Sequence, residues 1–132
     1  HVVNWVVDGD TIELNGGDRV RLIGVDAPEV YKEECYSDEA TDILDGLATD
    51  GDVICLLKDS NSSPTDPYGR LLRYAFIPHG NGWAMINTRI IRLGGARAYH
   101  TFLKGKDYRS EIEVAEEEAF ADHAGGWTVC NW

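Results

Sequence analysis

The sequence is short of positive charge. Twelve lysines and arginines stand against 23 aspartates and glutamates, a formal net charge of −11 over 132 residues. That balance argues against a broad, sequence-independent grip on nucleic acid, which needs a basic face. Cysteine is scarce too. Cys35, Cys55 and Cys130 lack paired C-x-x-C spacing, which argues against a zinc site. No apolar run approaches the roughly 18 residues that would suggest a membrane span. There are no internal repeats and no composition break marking a domain boundary, so residues 1–132 are expected to form one domain.

What is present is a folding composition, 43% hydrophobic with Trp, Tyr and Phe all represented. The charge is unevenly spread. Residues 29–52 carry nine acids against one base, Lys32, and residues 111–122 add six more acids. Between them, Arg70, Arg73, Arg89, Arg92, Arg97, Lys104, Lys106 and Arg109 outnumber Asp66 and Asp107. A locally positive surface on an acidic body is therefore available. Of the cysteines, Cys55 lies in the apolar run "DVICLLK" and reads as core, while Cys35 and Cys130 flank helices and are the better candidates for a disulfide. His1 opens directly into a strand pattern, as in a chain whose leader has been removed. Export to the periplasm, cell surface or medium, as a monomer, is the expectation.

The order of elements is legible from punctuation and period. "VVNWVVDGD" and "DTIELNGGD" read as strands joined at Asp8-Gly9, and "DRVRLIGVDAPE" as a third strand after the Asn15-Gly16-Gly17 turn, stopped by Pro28. Ser37 reads as the N-cap of a helix with Ala40, Ile43, Leu44 and Leu47 on its apolar face. A fourth strand spans Val53–Lys58, a polar loop residues 59–69, and a fifth strand "RLLRYAFIP". Ile86, Ile90 and Leu93 mark a second helix ended by Gly94-Gly95, and "SEIE" has the form of a capping box before a third. Five short strands with three helices imply an α+β fold built on a small five-stranded barrel.

The chemistry-bearing residues cluster around the third strand. Asp8 and Asp10, two apart, share a face if both are extended. A hairpin of strands two and three could bring Asp26 near Asp10. Two aspartates and a carbonyl from the 26–28 turn suit a hard cation such as Ca²⁺ or Mg²⁺, although Asp-Gly is also an ordinary turn pair. Glu29, held by Pro28, could orient or deprotonate a water beside such a cation. Arg21 is an unexpected filler within "VRLIGV", and Arg70 follows "DPYG"; two arginines can clamp a phosphoryl group. Tyr68, Tyr99, His100 and Phe102 could offer stacking surfaces to a base. Each residue alone has a plainer structural reading. Together, metal carboxylates, a water-handling glutamate and two arginines are the parts of a phosphodiesterase.

The segments "VVDGDTIEL", "VRLIGVDAPE", "ECYSDEA", "DPYGRLLRYAFI", "GWAMINTRIIRLGGARA" and "AEEEAFADHAGGW" resemble, in order and over nearly the whole chain, the thermonucleases of staphylococcal-nuclease type. The resemblance implies a five-stranded OB-fold barrel with three helices, and Ca²⁺-dependent cleavage of DNA and RNA leaving 3′-phosphates. It implies Asp10, Asp26 and the backbone carbonyl of Ala27 as calcium ligands, with Asp8 acting through water. Glu29 would position or activate the attacking water, Arg21 and Arg70 would stabilise the transition state, and Tyr68 and His100 would contact substrate. Ala27 stands where threonine is common, Pro67 where a phosphate-binding lysine is found, and the family's base-stacking tyrosines have no clean counterpart; His100 and Phe102 fall nearby. The same barrel also serves as a non-catalytic nucleic-acid- or protein-binding module, and the acidic charge favours that alternative.

Overall fold

A computed structural model describes residues 1–132. Its first hairpin is β1 (Val3–Asp8) against β2 (Thr11–Leu14). Val3 and Val6 both reach the core although they are three apart, because the register slips between Val3 and Trp5. Such a bulge lets two residues oppose one and turns the strand. β3 (Arg19–Leu22) continues the antiparallel meander after a turn at Gly16 and Gly17, both at positive φ, and buries Val20 and Leu22 while Arg19 and Arg21 take the other face.

β3 then pairs in parallel with the long β6 (Leu71–His79), which carries β5 (Cys55–Leu57) on its other side and β7 (Gly82–Met85) toward its end. The order is β1-β2-β3-β6-β5, with β7 also on β6. The expected closed five-stranded barrel is corrected here to an open six-stranded sheet. One isolated bridge, Val2 with Val53, spans its two ends together with hydrogen bonds such as Val3 N to Asp52 O. A separate two-stranded sheet pairs β4 (Val25–Asp26) with β8 (Arg97–Ala98).

Four α-helices, not three, flank the strands: α1 (Ser37–Leu47), α2 (Ile86–Arg92), α3 (Arg109–Ala121) and the short α4 (Gly126–Val129). α1 buries Ala40 and Leu44 at helical spacing, but Ser37 is its first helical residue; Tyr36, with φ of 72°, precedes it and no side chain caps it. α3 likewise begins one residue before the expected capping box and has no side-chain cap. Cys55 is exposed rather than core, because the short β5 turns that position outward.

The core gathers Val3, Ile12, Leu22, Leu44, Tyr74, Ile86, Ile90, Ile91 and Ile112. Two buried polar side chains pin elements to it. Asn87 on α2 accepts from Ala75 N at 2.9 Å and donates to Ile23 O at 3.0 Å, fixing the helix to β6 and to the end of β3. Asp59 accepts from Tyr74 Oη at 2.5 Å, Asp107 N at 2.7 Å and Asn61 N at 2.8 Å, tying the polar loop to the segment before α3. Gly24, at positive φ between β3 and β4, is packed so closely that a Cβ would lie 2.7 Å from Ile112 and 2.8 Å from Leu103. That turn delivers Asp26 to the end of the sheet.

Candidate active site

The β1–β2 turn and the segment after β4 meet at Gly9. A Cβ there would stand 2.8 Å from that of Ala27 and 3.0 Å from that of Ala40, so only glycine lets the two backbones approach. Asp10 lies in this turn rather than in a strand. It therefore meets Asp8 not across a shared pleat, as its spacing suggested, but through a turn in which Asp10 N donates to Asp8 Oδ1 at 3.1 Å. Asp10 is buried; its Oδ1 accepts from Thr11 Oγ1 at 2.9 Å and its Oδ2 from Ala27 N at 3.1 Å. Thus Asp10 fixes the backbone of the 26–28 segment.

Arg21 comes to the same place from β3. Its Nη2 lies 3.4 Å from Asp10 Oδ2, while Nη1 donates to Leu22 O at 2.9 Å and Val25 O at 2.6 Å. A mostly buried guanidinium is thereby locked between a strand end and a carboxylate. Burial, and next the charge on Asp10, push the Asp8 carboxyl up to about 7. The same two causes raise Asp26; that residue still meets solvent, which limits the first of them. No three acidic, histidine or cysteine side chains close into a ready-made metal cage. The donor set nevertheless suits a hard cation: the Asp10 charge acts on both Asp8 and Asp26, and backbone carbonyls lie at 26–28.

Glu29 begins a tight loop. Its N donates to Glu34 Oε1 at 2.7 Å, and its carboxylate pairs with Lys32 at 2.9 Å on the open surface. Glu33 and Tyr36 sit at φ of 51° and 72°, conformations unfavourable to side-chain-bearing residues. The loop is held by the Cys35–Cys130 disulfide, which bears out that pairing. It brings the C-terminal Trp132 over Arg97 and walls a cavity of about 220 Å³ lined by Asp26, Ala27, Glu34 and Arg97.

"DPYGR" folds around Asp66. Its carboxylate accepts from Tyr68 N and Arg70 N, both at 2.9 Å, and from Arg70 Nε at 2.6 Å. Burial alone would raise this carboxyl, but those donors outweigh it and hold it below its ordinary range. Arg70 is thereby aimed into a second cavity, about 440 Å³, lined by Arg19, Glu29, Tyr31, Tyr68 and Arg70. His100 lines neither cavity; its ring nitrogen is engaged by Glu116 at 2.5 Å. Asp8, Asp10, Asp26, Ala27 and Arg21 are thus assembled in one place, and Glu29, Tyr68 and Arg70 share another.

Five lining residues carry no site signal of their own in the sequence: Glu34, Arg97 and Trp132 in the first cavity, Arg19 and Tyr31 in the second. Arg97 arrives through the β4–β8 pairing, which has no local signature, and Trp132 through the disulfide, whose cysteines are legible but whose effect on the C-terminal tryptophan is not. Arg19 could have been found, since it alternates with Arg21 on β3.

Residues 19–129 match the model of the family described as staphylococcal nuclease homologue. A thermonuclease of Staphylococcus intermedius is 36% identical over 96% of this chain and 75% of its own length. An uncharacterized protein of Methanocaldococcus jannaschii is 32% identical over 96% of this chain and 69% of its own. Endonuclease YhcR of Bacillus subtilis is 29% identical over 96% of this chain, which spans 11% of that larger protein.

Proposed function

The chain belongs to the staphylococcal nuclease homologue family, and we propose that it is a calcium-dependent endonuclease that hydrolyses phosphodiester bonds of DNA and RNA and leaves 3′-phosphate ends. Relatives named as thermonuclease and endonuclease, matched over nearly all of the chain, support nuclease chemistry in general. The observation that supports phosphodiester chemistry at this site is Arg21, locked 3.4 Å from Asp10 among carboxyls. A bare cation trap gains nothing from a guanidinium there; a phosphodiesterase needs one to offset charge on the phosphoryl oxygens.

In this mechanism Asp10, Asp26 and the carbonyl of Ala27 would hold the calcium, with Asp8 supporting it through water. The cation, when bound, would supply Lewis-acid polarisation of the phosphoryl group. Glu29 releases Lys32, an exposed and well-screened partner, and orients or deprotonates the attacking water. Arg21 approaches the phosphoryl group from the buried side and Arg70 from the open cavity. Asp66 keeps Arg70 in register, and Tyr68 contacts substrate; His100, outside both cavities, would have to leave Glu116 to do the same. A single copy of the chain supplies all of these groups. Export is proposed with this activity, and the disulfide supports an oxidising compartment.

The test is digestion of plasmid DNA and of RNA with Ca²⁺, with chelator, and with Glu29→Gln. Cleavage should require Ca²⁺ and fall by roughly a hundredfold or more in the variant. If wild-type protein leaves both substrates intact with every cation while still binding them, the non-catalytic module, which the net charge of −11 favours, replaces the enzyme.

A further inference from the structure

The second cavity holds more cationic and aromatic surface than the proposed reaction uses. Its two arginines are built alike. Arg70 is gripped at Nε by Asp66 at 2.6 Å, and Arg19 is drawn at Nε toward Glu13 at 3.4 Å. In both, the two terminal amino groups have no protein partner. Free ends on an oriented guanidinium are what a phosphate oxygen pair engages.

Strand pairing sets these two side by side. The parallel register Val20–Leu71 and Arg21–Leu72 between β3 and β6 puts Arg19 abreast of Arg70. Arg19 and Arg21 also share a face of β3, about 6.6 Å apart for two extended residues. Glu13 does not quench Arg19 strongly, because its other oxygen is taken by Trp5 Nε1 at 2.7 Å and Asn4 Nδ2 at 2.8 Å. Two tyrosines complete the cavity. Tyr31 is 78% exposed and Tyr68 84% exposed, and neither ring packs on another aromatic. Each ring already faces one cation, Lys32 Nζ at 5.5 Å from Tyr31 and the Arg70 guanidinium at 5.5 Å from Tyr68, and Arg19 lies 5.7 Å over Trp5. Exposed rings beside guanidiniums whose terminal amino groups make no hydrogen bond are a surface on which a strand of nucleic acid is held, base on ring and phosphate on cation.

We infer that Arg19 and Tyr31 form a subsite for the nucleotide adjoining the one cleaved, with Arg19 binding its phosphate and Tyr31 stacking its base. The inference rests on the proposed nuclease activity for its place in the reaction, but not for its measurement. It offers a way for so acidic a protein to grip a polyanion: Arg19 and Arg70 lie abreast, each held at Nε with its amino groups making no hydrogen bond, and Arg21 lies behind. It also gives a base-stacking role to a ring beside Glu29, where the family's own stacking tyrosines have no counterpart.

The experiment measures binding and cleavage separately. Fluorescence anisotropy of a labelled single-stranded DNA 12-mer is followed in the Glu29→Gln background, alone and with Arg19→Ala, Tyr31→Leu or Tyr31→Phe. Each of Arg19→Ala and Tyr31→Leu should weaken binding about five- to tenfold, Tyr31→Phe should stay within about twofold, and Arg19→Ala should flatten the salt dependence. In the Glu29-containing protein, KM for the 12-mer should rise at least fivefold more than KM for a dinucleotide. Unchanged 12-mer binding in the Arg19→Ala, Tyr31→Leu double variant overturns the subsite, as does an equal loss on 12-mer and dinucleotide. Wild-type protein that binds the 12-mer through these residues but cleaves nothing would sink the nuclease activity and leave the subsite standing.

Discussion

Asp59 and Asp8 are both carboxylates withdrawn from bulk water, and the fold treats them in opposite ways. Around Asp59, a phenol and two backbone amides converge on one side chain. Burial alone would raise its carboxyl; the three donors outweigh it and hold Asp59 below the ordinary range. Around Asp8 there is one backbone donor, from Asp10, and the nearest charge is another carboxylate. Burial and that charge push Asp8 up to about 7. The first region is a joint, with its negative charge fully answered by the protein. The second holds negative charge that the protein leaves partly unanswered, which is the condition for binding a cation.

Breaking the second region should have the largest effect on rate. Asp26→Asn removes one proposed ligand at an accessible position. It should lower turnover on plasmid DNA by roughly a hundredfold or more, with little change in melting temperature; initial rates and a thermal melt check both halves. Opening the disulfide acts on stability instead. The bridge spans 95 residues, and the paired Cys35→Ser, Cys130→Ser variant should lose about 2–4 kcal/mol in urea unfolding. Its rate per folded molecule should also fall, since the loop carrying Glu29 is anchored there.

Breaking the first region should do the reverse of Asp26→Asn. Tyr74→Phe withdraws one donor from Asp59 and should cost about 1–3 kcal/mol in stability, while turnover per folded molecule stays within about twofold. The smallest effect is in pH dependence. A lowered carboxyl such as Asp59 contributes stability present above its unfolded value of 3.8 and lost as pH falls through the folded value. A raised one such as Asp8 acts oppositely: the folded state holds its proton longer, so stability declines as pH rises from 3.8 toward about 7. Chelator-treated protein should therefore melt highest near pH 4–5 and lose a few degrees by pH 8, a decline that Ca²⁺ should abolish.

Much of this contrast was visible in the sequence on one side only. Asp8, Asp10, Arg21, Asp26 and Glu29 lie within one short stretch, and turn chemistry at Asp8-Gly9 and Pro28 marks where they fall. The spacing argument for Asp8 and Asp10 reached the right neighbours by the wrong route, since a turn and not a pleat joins them. Asp59 and Asn87 gave no signal, because their partners are Tyr74 and Asp107 in one case and Ile23 and Ala75 in the other, far along the chain. The extra strand β7 was hidden by "HGNGW", where a short hairpin returns without the alternation that marks β1 to β3. The sheet stays open because the chain flanking β1 and β5 meets only through the Val2–Val53 bridge and a few backbone hydrogen bonds, a tertiary outcome no local pattern encodes.

The most direct measurement is a thermal-shift titration of chelator-treated protein with CaCl₂, on wild type, Asp26→Asn and Tyr74→Phe together. Wild type and Tyr74→Phe should show a saturable rise of several degrees, and Asp26→Asn should lose it. No rise in wild type, or an equal rise in Asp26→Asn, would contradict calcium binding at the Asp8–Asp10–Asp26 cluster.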